Sequence, residues 1–152
     1  MIANAKYVHT NLIARDWRSL VRFYEEVLGC VRLPPERDYA GDDLASGSGV
    51  PNAHLQGIHL RLPGCGADGP TLEVFQYSEM REGVGPAANR PGFAHIAFAV
   101  GDVVAARDEV LAHGGSSVGD VVCMSPDPGH QVTWCYVADP EGNLLELQSW
   151  SS

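Results

Sequence analysis

Four residues of this chain carry side chains that bind divalent metals, and they recur in a repeated setting. His9 opens a strand-like stretch that ends at Asp16, and His95 opens another that ends at Asp102, seven residues later in both cases. Each half then closes on an apolar strand with a single glutamate: Glu73 within Thr71-Leu72-Glu73-Val74-Phe75, and Glu146 within Leu144-Leu145-Glu146-Leu147. A carboxylate flanked by apolar neighbours on a central strand is costly to bury without a partner. Two such carboxylates repel each other unless a cation lies between them. Two imidazoles and two carboxylates suit a divalent transition metal, with water or substrate filling the remaining positions.

The elements that must position these groups read as one module used twice. Residues 6 to 14 read as a strand, and Asp16 caps a helix whose apolar face is Leu20, Phe23, Tyr24, Val27 and Leu28. Gly29 stops it. A second strand is expected between Val31 and Leu44, then a loop rich in Gly, Ser, Asp and Pro, then strands near 55–62 and 71–77. Residues 79–91 have linker composition. The pattern restarts with a strand over 93–100 and a helix capped by Asp102 that runs through Val103, Ala106, Val110 and Leu111. Strands follow near 116–124, 131–138 and 143–149, and Asp139-Pro140-Glu141-Gly142-Asn143 forms the last hairpin turn. The expected organisation is one domain, with module 1 over 5–78 and module 2 over 92–150.

The two histidines lie 86 positions apart and the two glutamates 73, so the first half carries 13 more residues between its candidate ligands. A loop absorbs such a difference cheaply. Tyr39 to Ala53 is its natural place, as a rim or lid.

Strand alternation assigns the faces. Ile96, Phe98 and Val100 form the apolar set that packs under a helix, turning His95 the other way. Leu72 and Val74 do the same for Glu73, Phe75 and Tyr77, and Leu145 and Leu147 for Glu146. All the candidate ligands are expected on the face away from the helices, and a sheet curved around that face gathers them. His59 and Arg61 alternate with Ile58, Leu60 and Leu62 and share that face, where Arg61 is suited to hold a carboxylate or phosphate. Phe75, Tyr77, Trp134 and Tyr136 are expected as apolar substrate wall. His54, His113 and His130 read as solvated loop or helix-end residues.

Composition agrees with small-molecule chemistry. The chain has 152 residues, is 45% hydrophobic, and carries a formal charge of −9, which disfavours general affinity for nucleic acid or anionic membranes. The N-terminus lacks the basic stretch and apolar run of a secretory signal, and no segment is as long as a membrane span, so a cytoplasmic location is expected. Cys30, Cys65, Cys123 and Cys135 are scattered without a C-x-x-C pair, and read as incidental or buried thiols.

The segments His9-Thr10-Asn11-Leu12, Phe23-Tyr24-Glu25-Glu26-Val27-Leu28-Gly29, Gly92-Phe93-Ala94-His95-Ile96-Ala97-Phe98 and Asp139-Pro140-Glu141-Gly142-Asn143-Leu144-Leu145-Glu146 together resemble the vicinal oxygen chelate superfamily, which includes glyoxalase I, methylmalonyl-CoA epimerase, extradiol dioxygenases and the fosfomycin and bleomycin resistance proteins. The resemblance implies an α+β fold of two βαβββ modules, their mostly antiparallel strands making a curved eight-stranded cup with helices outside. It implies His9, Glu73, His95 and Glu146 as ligands of one divalent ion (Ni, Zn, Co, Mn or Fe), a small carbonyl or thioester substrate, and a two-fold homodimer. The two-His, two-Glu set looks like glyoxalase I, whereas residues 90–98 are also similar to the epimerase pattern. Both activities move a proton next to a carbonyl, with the metal stabilising the enediolate and Glu146 or Glu73 as acid/base; the resemblance favours Glu146. Alternatives are an Fe(II) ring-cleaving dioxygenase, a metal-dependent thiol transferase acting on an antibiotic, and a non-catalytic small-molecule or drug-binding protein.

Overall fold

The computed structural model describes residues 2–151, which divide between Glu82 and Gly83 into two compact units. The class is α+β, with a four-stranded sheet in one unit and a five-stranded sheet in the other.

The first unit comprises β1 (His9–Ile13), α1 (Trp17–Leu28), β2 (Val31–Ala40), α2 (Asp42–Ser48), β3 (His54–Arg61) and β4 (Thr71–Tyr77). Its sheet runs β1-β4-β3-β2, with β1 parallel to β4 and the other pairs antiparallel. Helix α1 begins where Asp16 accepts hydrogen bonds from the Ser19 amide at 3.1 Å and the Ser19 hydroxyl at 2.7 Å. It ends at Gly29, whose φ of 68° is a left-handed conformation open to glycine. The Gly29 amide reaches Glu25 O and the Cys30 amide reaches Tyr24 O, satisfying carbonyls that the helix end would otherwise orphan. Trp17, Leu20, Val21, Phe23 and Tyr24 are buried. Val27 and Leu28, expected in that face, are only half-buried, because the last turn lies beyond the main packing against β3 and β4.

The second unit comprises β5 (His95–Ala99), α3 (Val103–Ala112), β6 (Ser116–Ser117), β7 (Val122–Asp127), β8 (His130–Ala138) and β9 (Leu144–Ser151). Its order is β5-β9-β8-β6, with β7 also paired to β8. Again the first strand, β5, runs parallel to the last, β9. Asp102 caps α3 by accepting from the Ala105 amide at 3.0 Å. Val103 and Val110 are buried. Leu111 is 40% exposed, so it does not complete the apolar face.

Three local expectations change. The polar stretch after β2 contains helix α2, packed on β2, because Gly41 and Gly49 bracket about two turns that open with Asp42 and Asp43. The strand expected over 116–124 is two separate pieces pairing with different parts of β8, so the described residues hold nine strands rather than eight. His54 and His130 are the first residues of β3 and β8, not loop residues, and both are paired: His54 Nε2 lies 2.7 Å from Asp38 Oδ1, and His130 Nδ1 contacts Asp127.

Alternation holds where it positions the candidate site. Leu72 and Val74 are buried on one face of β4 while Thr71, Glu73 and Phe75 are half-buried on the other. In β8, Cys135 and Val137 are buried while Trp134 and Tyr136 are half-buried. In β9, Leu145 and Leu147 are fully buried on the face opposite Glu146. Gly57 of β3 has to be glycine for a separate reason: a Cβ there would lie 2.1 Å from Val74 O and 2.4 Å from the Phe75 ring. The bare backbone lets Phe75 lie across β3, beside His59.

Candidate functional site

In the first unit, Glu73 sits midway along β4 with Asn11 of β1 as its register partner on one side and His59 of β3 on the other. Three donors converge on it. His9 Nε2 is 3.1 Å from Oε2, His59 Nε2 is 2.8 Å from Oε1, and Asn11 Nδ2 donates to Oε2 at 3.2 Å. The Glu73 side chain is 12% exposed. Behind His59, Nδ1 lies 3.0 Å from Thr71 Oγ1. The His59 ring meets His9 edge-on at 5.8 Å between centroids and Phe75 at 6.0 Å. Burial pushes His59 below the ordinary imidazole range; Glu73 pulls the other way, and Arg37 and His9 add to the depression.

In the second unit the register is the same and the occupants differ. Glu146 of β9 lies opposite Ala97 of β5 and Tyr136 of β8. His95 Nε2 is 3.1 Å from Glu146 Oε2, the side chain being 19% exposed. The His95 ring packs on Tyr136 at 4.9 Å, and Tyr136 on Trp134 at 5.0 Å. Trp134 Nε1 donates to Met124 Sδ. The preceding turn is fixed by Asp139, only 2% exposed, whose carboxylate accepts from the Glu141 amide at 2.9 Å, the Asn143 amide at 3.0 Å and Asn143 Nδ2 at 2.8 Å.

The candidate residues thus fall into two local groups, His9, His59, Glu73 and Phe75 in one unit and His95, Tyr136, Trp134 and Glu146 in the other. Tyr77 shares the face of Glu73 but lies four residues on, roughly 13 Å along the strand. Arg61, opposite Thr71, has a buried Nε with no hydrogen-bond partner among the described residues. Asn11 and Thr71 were not singled out in the sequence. Each stands two residues from a candidate ligand on the same strand, so alternation alone puts it on the same face.

The donor set suits a divalent metal in kind and spacing. Ligands at about 2.1 Å from one ion lie about 3.0 Å apart at right angles and about 3.4 Å apart in a tetrahedron. Each unit offers one imidazole nitrogen and one carboxylate oxygen at 3.1 Å. Among the described residues no group of three or more His, Cys, Asp or Glu side chains is placed to hold a metal ion. All four cysteines are free, and burial, with Glu25 adding, pushes the Cys30 thiol up to about 12.

The sequence profile of the glyoxalase/bleomycin resistance protein/dioxygenase superfamily matches residues 6–147. The chain belongs to this superfamily. A probable lactoylglutathione lyase of Vibrio parahaemolyticus serotype O3:K6 is 26% identical over 148 residues, covering 96% of this chain and 91% of that protein. Among solved structures, a glyoxalase family protein from Bacillus cereus aligns over 100% of both chains with a TM-score of 0.74 at 18% identity. A glyoxalase I mutant from Zea mays aligns with a TM-score of 0.61 at 20% identity, over 93% of this chain and 45% of that one. At these identities the structural likenesses establish the superfamily fold. No helix among the described residues is long and apolar enough to cross a membrane.

Proposed function

We propose that this superfamily member is a metal-dependent enzyme of the glyoxalase I or epimerase type, moving a proton on the carbon next to a carbonyl of a small molecule. The observation that carries the reading is the repeated pair: an imidazole Nε2 and a carboxylate oxygen 3.1 Å apart, at equivalent register positions of two sheets. Such a pair, an imidazole nitrogen beside a carboxylate oxygen, would offer a divalent ion two adjacent ligand atoms. The likeness to a probable lactoylglutathione lyase supports the same chemistry.

His9 and Glu73, and His95 and Glu146, would hold the ion. When bound, it supplies Lewis acidity that stabilises an enediolate. Glu146 takes the proton from the carbon next to the carbonyl and gives it back to carbon: it has one donor on it where Glu73 has three, and so has less to break when it turns to substrate. Tyr136 and Trp134 wall its side with aromatic surface, and Phe75 does so for Glu73. Arg61 offers its guanidinium to an anionic group of the substrate.

The test is the pair Glu73→Gln and Glu146→Gln, each assayed for bound metal and for turnover of the methylglyoxal–glutathione hemithioacetal, with solvent deuterium exchange into a panel of CoA thioesters as the epimerase arm. Glu146→Gln is expected to abolish turnover or exchange while retaining metal, and Glu73→Gln to lose metal. Unchanged turnover in both variants would rule the reading out.

A further inference from the structure

We infer that His59 is a positioning residue that fixes Glu73 as a one-oxygen metal ligand. The inference rests on the reading above and adds a residue outside the two repeated pairs. The oxygens of Glu73 are divided between two rings: Oε2 faces His9, and Oε1 is held by His59 at the shorter distance of 2.8 Å. A carboxylate only accepts, so His59 Nε2 carries the proton of that bond. In the neutral ring Nδ1 is then a lone pair, and the Thr71 hydroxyl, 3.0 Å away, donates to it. Thr71, His59 and Glu73 form a directed chain, hydroxyl to Nδ1 and Nε2–H to Oε1. Its members come from two adjacent strands in fixed register, His59 opposite Glu73 and the threonine two residues before the glutamate.

This chain leaves Oε2, to which Asn11 Nδ2 also donates, as the one oxygen facing His9, and prevents Glu73 from rotating to offer both oxygens. His59 is packed for that task. Its ring lies edge-on to Phe75, which the missing Cβ of Gly57 admits, and its side chain is 21% exposed against 41% for His9. The second unit has no equivalent, because Tyr136 occupies the position opposite Glu146 and Leu144 the position equivalent to Thr71. The inference assigns a rigid carboxylate to one unit and a freer one to the other.

Cobalt(II) titration of the metal-free protein, followed by visible absorption, tests this. His59→Phe keeps an aromatic ring but no donor, and is expected to weaken cobalt affinity about 10- to 100-fold. His59→Gln, whose amide N–H reaches towards Oε1, is expected to recover most of the loss. Thr71→Val should produce a smaller loss in the same direction, and it carries the test if His59→Phe does not fold. Affinity within about twofold of the parent in both His59→Phe and Thr71→Val overturns the inference while leaving the proposed function intact, provided Glu73→Gln still loses cobalt. A His59→Gln protein as impaired as His59→Phe, with the cobalt spectrum altered as in His9→Ala, overturns it differently, by making His59 itself a ligand. Unchanged cobalt affinity in both His9→Ala and Glu73→Gln would sink the proposed function, and this inference with it.

Discussion

The two sheets place a glutamate at the same point and treat it differently. In both, the first strand runs parallel to the last, and a histidine begins the first strand two residues ahead of the glutamate's register partner. In the first unit that partner is Asn11 and the opposite neighbour is His59, so Glu73 is held by three donors. In the second unit the same positions hold Ala97 and Tyr136, and Glu146 is paired with His95. A shared backbone therefore delivers one carboxylate fixed by hydrogen bonds and one bounded by an aromatic ring. Duplication supplies the geometry, and divergence at two neighbouring strand positions supplies the difference in how each carboxylate is held.

The largest expected effect breaks the equivalence directly. Glu146→Gln should lower turnover by about 10²- to 10⁴-fold, the range in which a general acid/base contributes, with bound metal retained. Metal analysis beside the kinetic assay checks this, and loss of metal equal to that in Glu73→Gln would make the two carboxylates alike. Next come the buried leucines just before each glutamate. Leu72→Ala and Leu145→Ala should each cost about 2–5 kcal/mol in denaturant unfolding, because both side chains are essentially inaccessible and leave cavities. A clear difference between them would show that the sheets are not equally well packed.

The turns before the two glutamate strands differ as well. Asp139→Ala removes an acceptor from two amides and the Asn143 side chain, and should cost about 2–3 kcal/mol while loosening the start of β9. The loop before β4 relies on backbone bonds such as Gly69 N to Gly66 O, so Asp68→Ala should cost little. Hydrogen exchange of β9 amides against those of β4 reads the contrast.

The smallest effects are at the caps. Asp16→Ala and Asp102→Ala should each cost about 1 kcal/mol, with Asp16 the larger because it also accepts from the Ser19 hydroxyl. Those Ser19 hydrogen bonds, side chain first, hold the Asp16 carboxyl below its usual range. Its cap contribution is therefore complete above the unfolded-state value of about 3.9 and is lost as pH falls through the lower folded-state value. Urea unfolding of parent and Asp16→Ala from neutral to acidic pH should show the gap between them closing only at the acid end.

Alternation along β4, β8 and β9, the caps at Asp16 and Asp102, the stop at Gly29 and the final turn at Asp139–Asn143 were legible in the chain, because each depends on residues within a few positions of one another. The half-repeat and the residues that carry it were legible for the same reason. Helix α2 was not, since seven residues with one glycine and two serines have little intrinsic helical preference and gain theirs from packing on β2. The break between β6 and β7 was missed because pairing with β8, and not the local pattern, decides which residues find partners.

The sequence alone determined the residue types, their faces and the duplicated order of elements, through local periodicity and steric rules. Tertiary structure decided which neighbour stands beside each glutamate, because register between residues 10 positions apart (Tyr136 and Glu146) to 62 apart (Asn11 and Glu73) depends on strand pairing and on close approaches such as that at Gly57. That register sets Asn11 and His59 around Glu73 and leaves Glu146 between Ala97 and Tyr136.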